Sequence, residues 1–429
     1  MNGFGLSRER FALLFSVMLV AAAGNTAMQS LLPAIGRVLG VADIWVAVAF
    51  SLSAVVWVAM APIWARRADR RGRRALMRLG LAGFIVSSLI CGLALAAGLA
   101  GLAGPMLVFT VFMLGRTVYG ALGSASPPAV QAYIAARTEG AERTSALAAI
   151  ASSFGLGTII GPAIAPLFIV APLGLSAPLF AFAIIAGIVL VLIVTRLPDD
   201  TPKNPARGPI VAYPAIGGGG AEVAPGEDAP VALSWRDPRV LPWHMIGIVG
   251  GHGHAVLLGV IGFLVIDRLN LPLDHAQQWI AIVLMAGAAA SLFAQWWLIP
   301  QLALSPRQLV IWGSLIAGGG AALTGLGDGV YLLTIGFALA SMGFGLFRPG
   351  FTAGASLAVG PDEQNEVAGQ VTSVNGVAFV AGPALGVALY TIALPLPFLA
   401  TAALMLMLAA WTARRLRAWG PADGASPGR

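Results

Sequence analysis

Apolar runs long enough to cross a bilayer recur along this chain, and inside hydrocarbon that repetition leaves few folds open. A spanning helix needs roughly 17–25 apolar residues. Stretches of that kind occupy 11–35, 43–65, 75–98, 105–136, 144–170, 175–196, 240–266, 276–299, 307–326, 329–357, 365–391 and 393–413. Every backbone N–H and C=O in lipid needs an internal partner, so only helices or closed barrels qualify. The runs lack the two-residue alternation of barrel strands and read as twelve helices. Of 429 residues, 58% are hydrophobic and only 10% charged, where soluble domains carry about 25% charge; the mean hydropathy is +0.86. The chain therefore reads as an all-α, multi-pass membrane protein.

The first run follows Arg8 and Arg10, the layout of a secretory signal, but its apolar part is too long and lacks a small-residue cleavage site, so it reads as the first helix. Arginines set the expected orientation. Arg66, Arg67, Arg70, Arg71, Arg73, Arg74 and Arg78 lie between spans 2 and 3, Arg137 and Arg143 between 4 and 5, and Arg414, Arg415 and Arg417 after the last. The opposite loops hold little beyond Arg37 and Arg268. Positive charge is retained on the cytoplasmic side, so both termini are expected in the cytoplasm. The net charge of +7 then reports topology, with no nucleic-acid partner implied. Cys91, the only cysteine, excludes an intramolecular disulfide.

Residues 197–239 are rich in Gly, Pro and charge and read as a cytoplasmic linker. They divide the chain into an N-terminal six-helix bundle, 1–196, and a C-terminal one, 240–413, followed by a cytoplasmic tail, 414–429. The halves repeat. SSFGLGTIIGPAIA in span 5 matches SVNGVAFVAGPALG in span 11 at Ser152 and Ser373, Gly155 and Gly376, Gly161 and Gly382, and Pro162 and Pro383. GNTAMQSLLPAIG in span 1 matches GGHGHAVLLGVIG in span 7 at Gly24 and Gly250, Leu31 and Leu257, and Gly36 and Gly262. Repeated bundles of this kind imply a substrate held near mid-membrane between them, with access alternating as one rocks against the other.

Between spans 2 and 3 stands ARRADRRGRRALMRLG. It resembles the signature loop of the major facilitator superfamily, with Ala68, Asp69, Arg70, Gly72, Arg73 and Arg74 in place and Ala65 and Arg67 replacing the usual Gly and Leu. Gly72 suits a tight turn, and Asp69 an acid that pairs with arginines or a helix end in one conformation, a gating role; a plain topology anchor is the alternative. Span 4 carries Arg116, Gly120 and the Ala-Tyr-Ile-Ala of Ala132 to Ala135, and span 5 carries Gly157, Gly161 and Pro162. These are similar to the drug/proton antiporter branch, most of all its tetracycline-efflux type, although Ala165 and Pro166 stand where Gly-Gly is usual. The resemblance implies the major facilitator fold, twelve helices in two pseudo-symmetric bundles. Small residues at four-residue spacing let helices approach closely, and proline bends them. Gly157, Gly161, Pro162, Gly382 and Pro383 therefore suit a hinge at the bundle interface, or simple packing within a bundle.

The eighteen acids all fall in loops, tails or helix ends. Many drug/proton antiporters resemble one another in keeping a carboxylate inside the first helix; here that region offers Asn25 and Gln29, and the Asp that often follows Ala-Tyr-Ile-Ala is replaced by Ala136. Deep titratable or charged groups are then few. Arg116 lies within span 4, and Arg348 in the cytoplasmic half of span 10 either faces the cavity or snorkels to the interface. His252 and His254 sit near mid-depth in span 7. Imidazole titrates near pH 6.5, so one of the pair is expected to stand in for the missing carboxylate in proton coupling, the alternative being a neutral ring bonded to a neighbouring helix. A metal site is disfavoured, because i, i+2 spacing on a helix is poor for ligation and no Cys or acid joins the pair.

The resemblance places spans 1, 4, 7 and 10 at the central cavity, so Asn25, Gln29, Arg116, Tyr119, Gln131, Phe344, Phe347 and Arg348 are the candidate substrate-binding residues. Mostly apolar walls with few polar groups suit a small, moderately hydrophobic organic molecule. Without a buried acid, neutral, zwitterionic or anionic compounds are favoured over lipophilic cations. No phosphate-binding Gly-x-x-x-x-Gly-Lys-Ser/Thr loop is present. The chain is thus expected to be a proton-coupled exporter of the inner membrane, monomeric, surrounded by lipid, without cofactor or enzymatic activity. An uptake symporter or facilitator of a polar metabolite, and a non-transporting receptor or lipid-handling protein, remain open beside it.

Overall fold

The computed structural model describes residues 7–135, 137–138, 140–198, 233–270, 272–360 and 363–416. Twelve long helical elements follow one another. These are α1 (Arg8–Val38), α2 (Asp43–Arg71), α3 (Arg73–Leu99), α4 (Pro105–Val118, continued by Tyr119–Gly123 and Ser126–Ala135), α5 (Gly140–Ile164) and α6 (Ala177–Arg196). The second six are α7 (Leu241–Leu269), α8 (Leu273–Phe293, continued by Ala294–Leu298 and Ile299–Leu302), α9 (Pro306–Leu326), α10 (Gly329–Leu357), α11 (Gln364–Ile392) and α12 (Leu396–Arg415). Eleven are long and apolar enough to cross a membrane, and the described apolar part of α5 is the shorter Ser153–Phe168.

The expected spans appear with two internal differences. Both α4 and α8 contain a π-helical turn, at Tyr119–Gly123 and Ala294–Leu298. Each precedes proline, Pro127 with Pro128 in one case and Pro300 in the other. Proline has no N–H to continue the ladder, and a widened turn absorbs the mismatch. In α4 that turn begins at Tyr119, three residues after Arg116.

Packing within the halves follows one plan. In the first, α1 packs on α5, α3 on α4 and α6, and α2 on α4; in the second, α7 packs on α11, α9 on α10 and α12, and α8 on α10. Across the halves α2 meets α11 and α5 meets α8. The backbones approach through small residues, as expected where lipid offers no hydrophobic drive for helix association. Gly376 lies against Val58 and Gly155 against Leu292, both contacts crossing between bundles.

Gly72 joins α2 to α3 at φ 85°, a backbone angle that favours glycine. This accounts for the glycine in the signature turn. Arg73 next to it is buried, while the side chains of Asp69 and Arg70 lie outside the described set. Most of the inferred linker, and the tail from 417, also lie outside the described residues. Where the chain re-enters, Leu233 O accepts from Gln370 Nε2 at 2.7 Å, and Arg239 bridges Asp237 and Glu363. Hydrogen bonds from Arg239 hold both of those carboxyls below their ordinary range. The start of α7 is thereby tied to the start of α11.

Candidate functional site

A recess between the bundles is lined by Gln29 and Pro33 of α1, Val46, Ala47 and Phe50 of α2, and, from the other half, residues of α7, α8 and α11 including Leu258, Phe379 and Pro383. Its free volume is about 40 Å³, well below the usual range of small-molecule sites, so its walls lie close together in this state. Its lining is apolar apart from the Gln29 amide. Gln29 is the one member of the sequence-derived substrate set in this lining.

Arg116 is enclosed immediately behind it. The side chain is 1% exposed, its Nη2 donates to Asn25 Oδ1 at 2.8 Å, and its guanidinium lies 5.3 Å from the Phe50 ring centre and 4.9 Å from that of Tyr119. Nε has no hydrogen-bond partner, and among the described residues no carboxylate pairs with the group. Two aromatic faces and one amide thus hold a full positive charge at depth, an arrangement that suits the planar guanidinium. Neighbouring residues explain how it is held. Ser53 Oγ donates to Arg116 O at 3.1 Å, and a methyl at Gly120 would come within 2.6 Å of Ser53 O, so only glycine lets α4 approach α2 here. Tyr119 is fixed by Trp57 and Phe84, with ring centres 5.2 and 5.6 Å away. Asn25 and Tyr119 are therefore committed to the arginine, and Phe50 separates Arg116 from the recess.

In the second half, His254 stacks on Phe344 at 4.6 Å and meets Phe379 edge-on at 6.0 Å. Phe379 lines the recess, so His254 stands behind it much as Arg116 stands behind Phe50. His252 instead holds its own helix: its Nδ1 lies 2.7 Å from Ile248 O. A carbonyl oxygen only accepts, so Nδ1 is the donor in this contact. Phe347 fills the space left by Gly250 and meets Phe344 in a T-shape. Arg348 Nε donates to Asn375 Oδ1 at 3.1 Å, and Gln131 is buried in the C-terminal segment of α4.

The glycines of the antiporter-like motif face α1 of their own bundle. A methyl at Gly157 would come within 2.6 Å of Leu19 O, and one at Gly161 would run into Ala23 O and Thr26 Oγ1. Gly382 likewise closes on Ala255 of α7, while Pro383 packs on Gly259 and reaches the recess. These contacts are those of packing within a bundle, with Pro383 at its edge toward the other.

Residues that the sequence did not single out complete the interface. Phe50 and Phe379 form facing recess walls, and Arg37, Asp43, Asp267 and Tyr390 join at the end opposite the arginine-rich turn. No local pattern marks them, since each is an ordinary residue for its place in a helix or at a helix end.

Two six-helix bundles around a recess lined from both sides define a two-bundle membrane transporter. Residues 13–302 match the family model of the Major Facilitator Superfamily, and the chain belongs to that superfamily. The staphyloferrin B transporter of Staphylococcus aureus is 28% identical over 204 residues, 46% of each chain. Multidrug resistance protein 2 of Bacillus subtilis is 27% identical over 187 residues, 43% of each. The matches thus span under half the length of these relatives. In fold, the crystal structure of the human organic anion transporter MFSD10 (TETRAN) superposes with a TM-score of 0.64 at 18% identity, covering 95% of this chain and 100% of that one.

Proposed function

We propose that this transporter lies in the inner membrane with both termini in the cytoplasm and exports a small, moderately hydrophobic organic molecule in exchange for protons, by alternating access. The observation that carries the substrate side is the apolar recess with a single amide, Gln29, backed by the Arg116 charge behind Phe50. A fixed cation with no carboxylate partner among the described residues lowers the energy of an anionic guest, leaves that of a neutral one nearly unchanged and raises that of a cationic one. Export is supported by the antiporter-like Gly157, Gly161 and Pro162 and by the drug-efflux name of one relative. Asp69, Arg70, Gly72 and Arg73 serve the gate on the cytoplasmic side. Proton exchange is assigned to the histidines of α7, His254 foremost, because its ring stands directly behind a recess wall.

The test is flux in proteoliposomes with an imposed pH gradient and a panel of anionic, neutral and cationic compounds. Substrate-driven proton movement is expected in the wild type, reduced about tenfold or more in a His252→Ala/His254→Ala double variant. Flux without proton movement would make the protein a facilitator, and no flux or counterflow with any compound would make it a receptor. Unchanged proton coupling in the double variant would remove the histidines from the mechanism.

A further inference from the structure

Beside the recess one buried side chain keeps an unused hydrogen-bond acceptor. Gln277 stands early in α8 and is fully buried, as is Ser30 of α1. Gln277 Nε2 donates to Ser30 Oγ at 3.2 Å, from one bundle to the other, while Gln277 Oε1 has no hydrogen-bond partner. The serine fixes which way the amide points. Its hydroxyl has one hydrogen, which Ser30 Oγ donates to Ala27 O at 2.7 Å. Toward Gln277 the serine therefore only accepts, which places Nε2 against it and turns Oε1 away.

The place of Gln277 in the fold puts it at the end of the recess nearest the start of α8. Residues at i, i+3 and i+7 share one face of a helix, and on that face Ile280 and Leu284 line the recess. On α1, Gln29 precedes Ser30 and Pro33 follows it by about one turn, and both line the recess as well. Among the lining side chains only Gln29 carries a donor, and no bond joins it to Gln277. A buried acceptor left without a donor is costlier than the bond itself is worth. The walls around it, Val46, Ala47, Ile261 and Gly262 among them, have no side-chain donor to offer.

We propose that Gln277 recognises the transported molecule, its Oε1 accepting a hydrogen bond from an N–H or O–H of the guest. This role rests on the recess being the substrate site, and it defines a class of guest: an apolar body bearing an indole, amide or hydroxyl donor, with an anionic group favoured by Arg116. The recess is nearly closed, with a free volume of about 40 Å³. Closing its walls with nothing between them leaves the oxygen unpaired, whereas closing them on a guest with a donor pairs it. A guest of the same shape without the donor leaves the penalty in place. Sites of that kind discriminate strongly, because rejection of the wrong molecule comes from their own unpaired group.

The detergent-purified full chain is titrated with two matched pairs of compounds, and dissociation constants are read from the rise in unfolding temperature. The pairs are para-hydroxybenzoate with para-fluorobenzoate, and indoleacetate with its benzofuran analogue, in which an oxygen replaces the N–H. In each pair the donor is removed with little change of size. The wild type is expected to bind the donor-bearing member about tenfold more tightly. In Gln277→Met the ratio should fall to about one, through weaker binding of that member. Ser30→Ala breaks the contact between the bundles but leaves the Gln277 acceptor in place, and should keep the preference. Equal binding of both members by the wild type, binding of neither, or a preference unchanged in Gln277→Met overturns the proposal. A preference lost alike in Ser30→Ala and Gln277→Met also overturns it, since both residues would then serve only to join the bundles. Counterflow of the same compounds in proteoliposomes separates the two readings: the expected binding ratio without flux of any compound overturns transport and leaves the recognition by Gln277 standing.

Discussion

Arg116→Met should abolish transport, lowering the rate at least tenfold, while leaving the thermal unfolding of the purified protein unchanged or slightly raised. The two halves of that expectation have different causes. The arginine contributes a hydrogen bond from a charged donor to Asn25, worth about 1.5–3 kcal/mol, and contacts with Phe50 and Tyr119, worth about 0.5–2 kcal/mol each. Against this stands the desolvation of a charge at 1% exposure with no carboxylate beside it among the described residues, several kcal/mol. Replacing such a group by an apolar side chain of similar length is often neutral or stabilising. A side chain kept only for packing would therefore be replaceable by methionine. If Arg116→Met transports at the wild-type rate, the charge has no part in the cycle. Arg116→Lys separates charge from shape: it retains the former but loses the flat stacking between two rings, and partial activity is expected from it.

Gly161→Val is expected to be the most damaging single change in the N-terminal bundle, destabilising it by about 3 kcal/mol or more. The added atoms meet the Ala23 carbonyl oxygen and Thr26 Oγ1, and backbone does not swing aside as a flexible side-chain end would. Thr26 is itself anchored, donating to Ala22 O at 2.9 Å and approaching Gly157 O at 3.4 Å, so α1 and α5 are held at a distance only glycine permits. Thermal unfolding in detergent gives the measurement, with Gly187→Ala in α6 as control. A methyl there meets nothing within 4 Å, and stability should change by no more than about 1 kcal/mol. If Gly161→Ala unfolds like the wild type yet slows transport, the glycine serves motion and not packing.

The alignment of the two histidines illustrates how far a helical pattern reaches. Two residues apart on a helix are roughly 200° apart, so His252 and His254 were bound to meet different surroundings. Which ring would stack on Phe344 and which would fold back on Ile248 O could not be read from that spacing. The buried arginine was more legible: a charge inside an apolar run is costly enough to require a partner or a cavity. Its partner, Asn25, lies 91 residues away. The motif glycines were legible as close-approach positions, but whether the approaching helix belonged to the same bundle or the other one was not.

What the sequence determined by itself is the part dictated by lipid. Apolar length, the absence of strand alternation and the placement of arginines imply twelve helices and an expected orientation, and the recurrence of Gly161-Pro162 as Gly382-Pro383 implies two like halves. Each of these follows from a local requirement, the satisfaction of backbone groups or the cost of moving charge across a membrane. What only the tertiary structure decided is the meeting of those halves. Phe50 and Phe379 become opposite walls of one recess, and Arg37 finds Asp267, 230 residues along the chain. A lone arginine and a lone aspartate at two helix ends carry no shared pattern. Their pairing depends on how the two halves meet, a long-range arrangement to which local periodicity is blind.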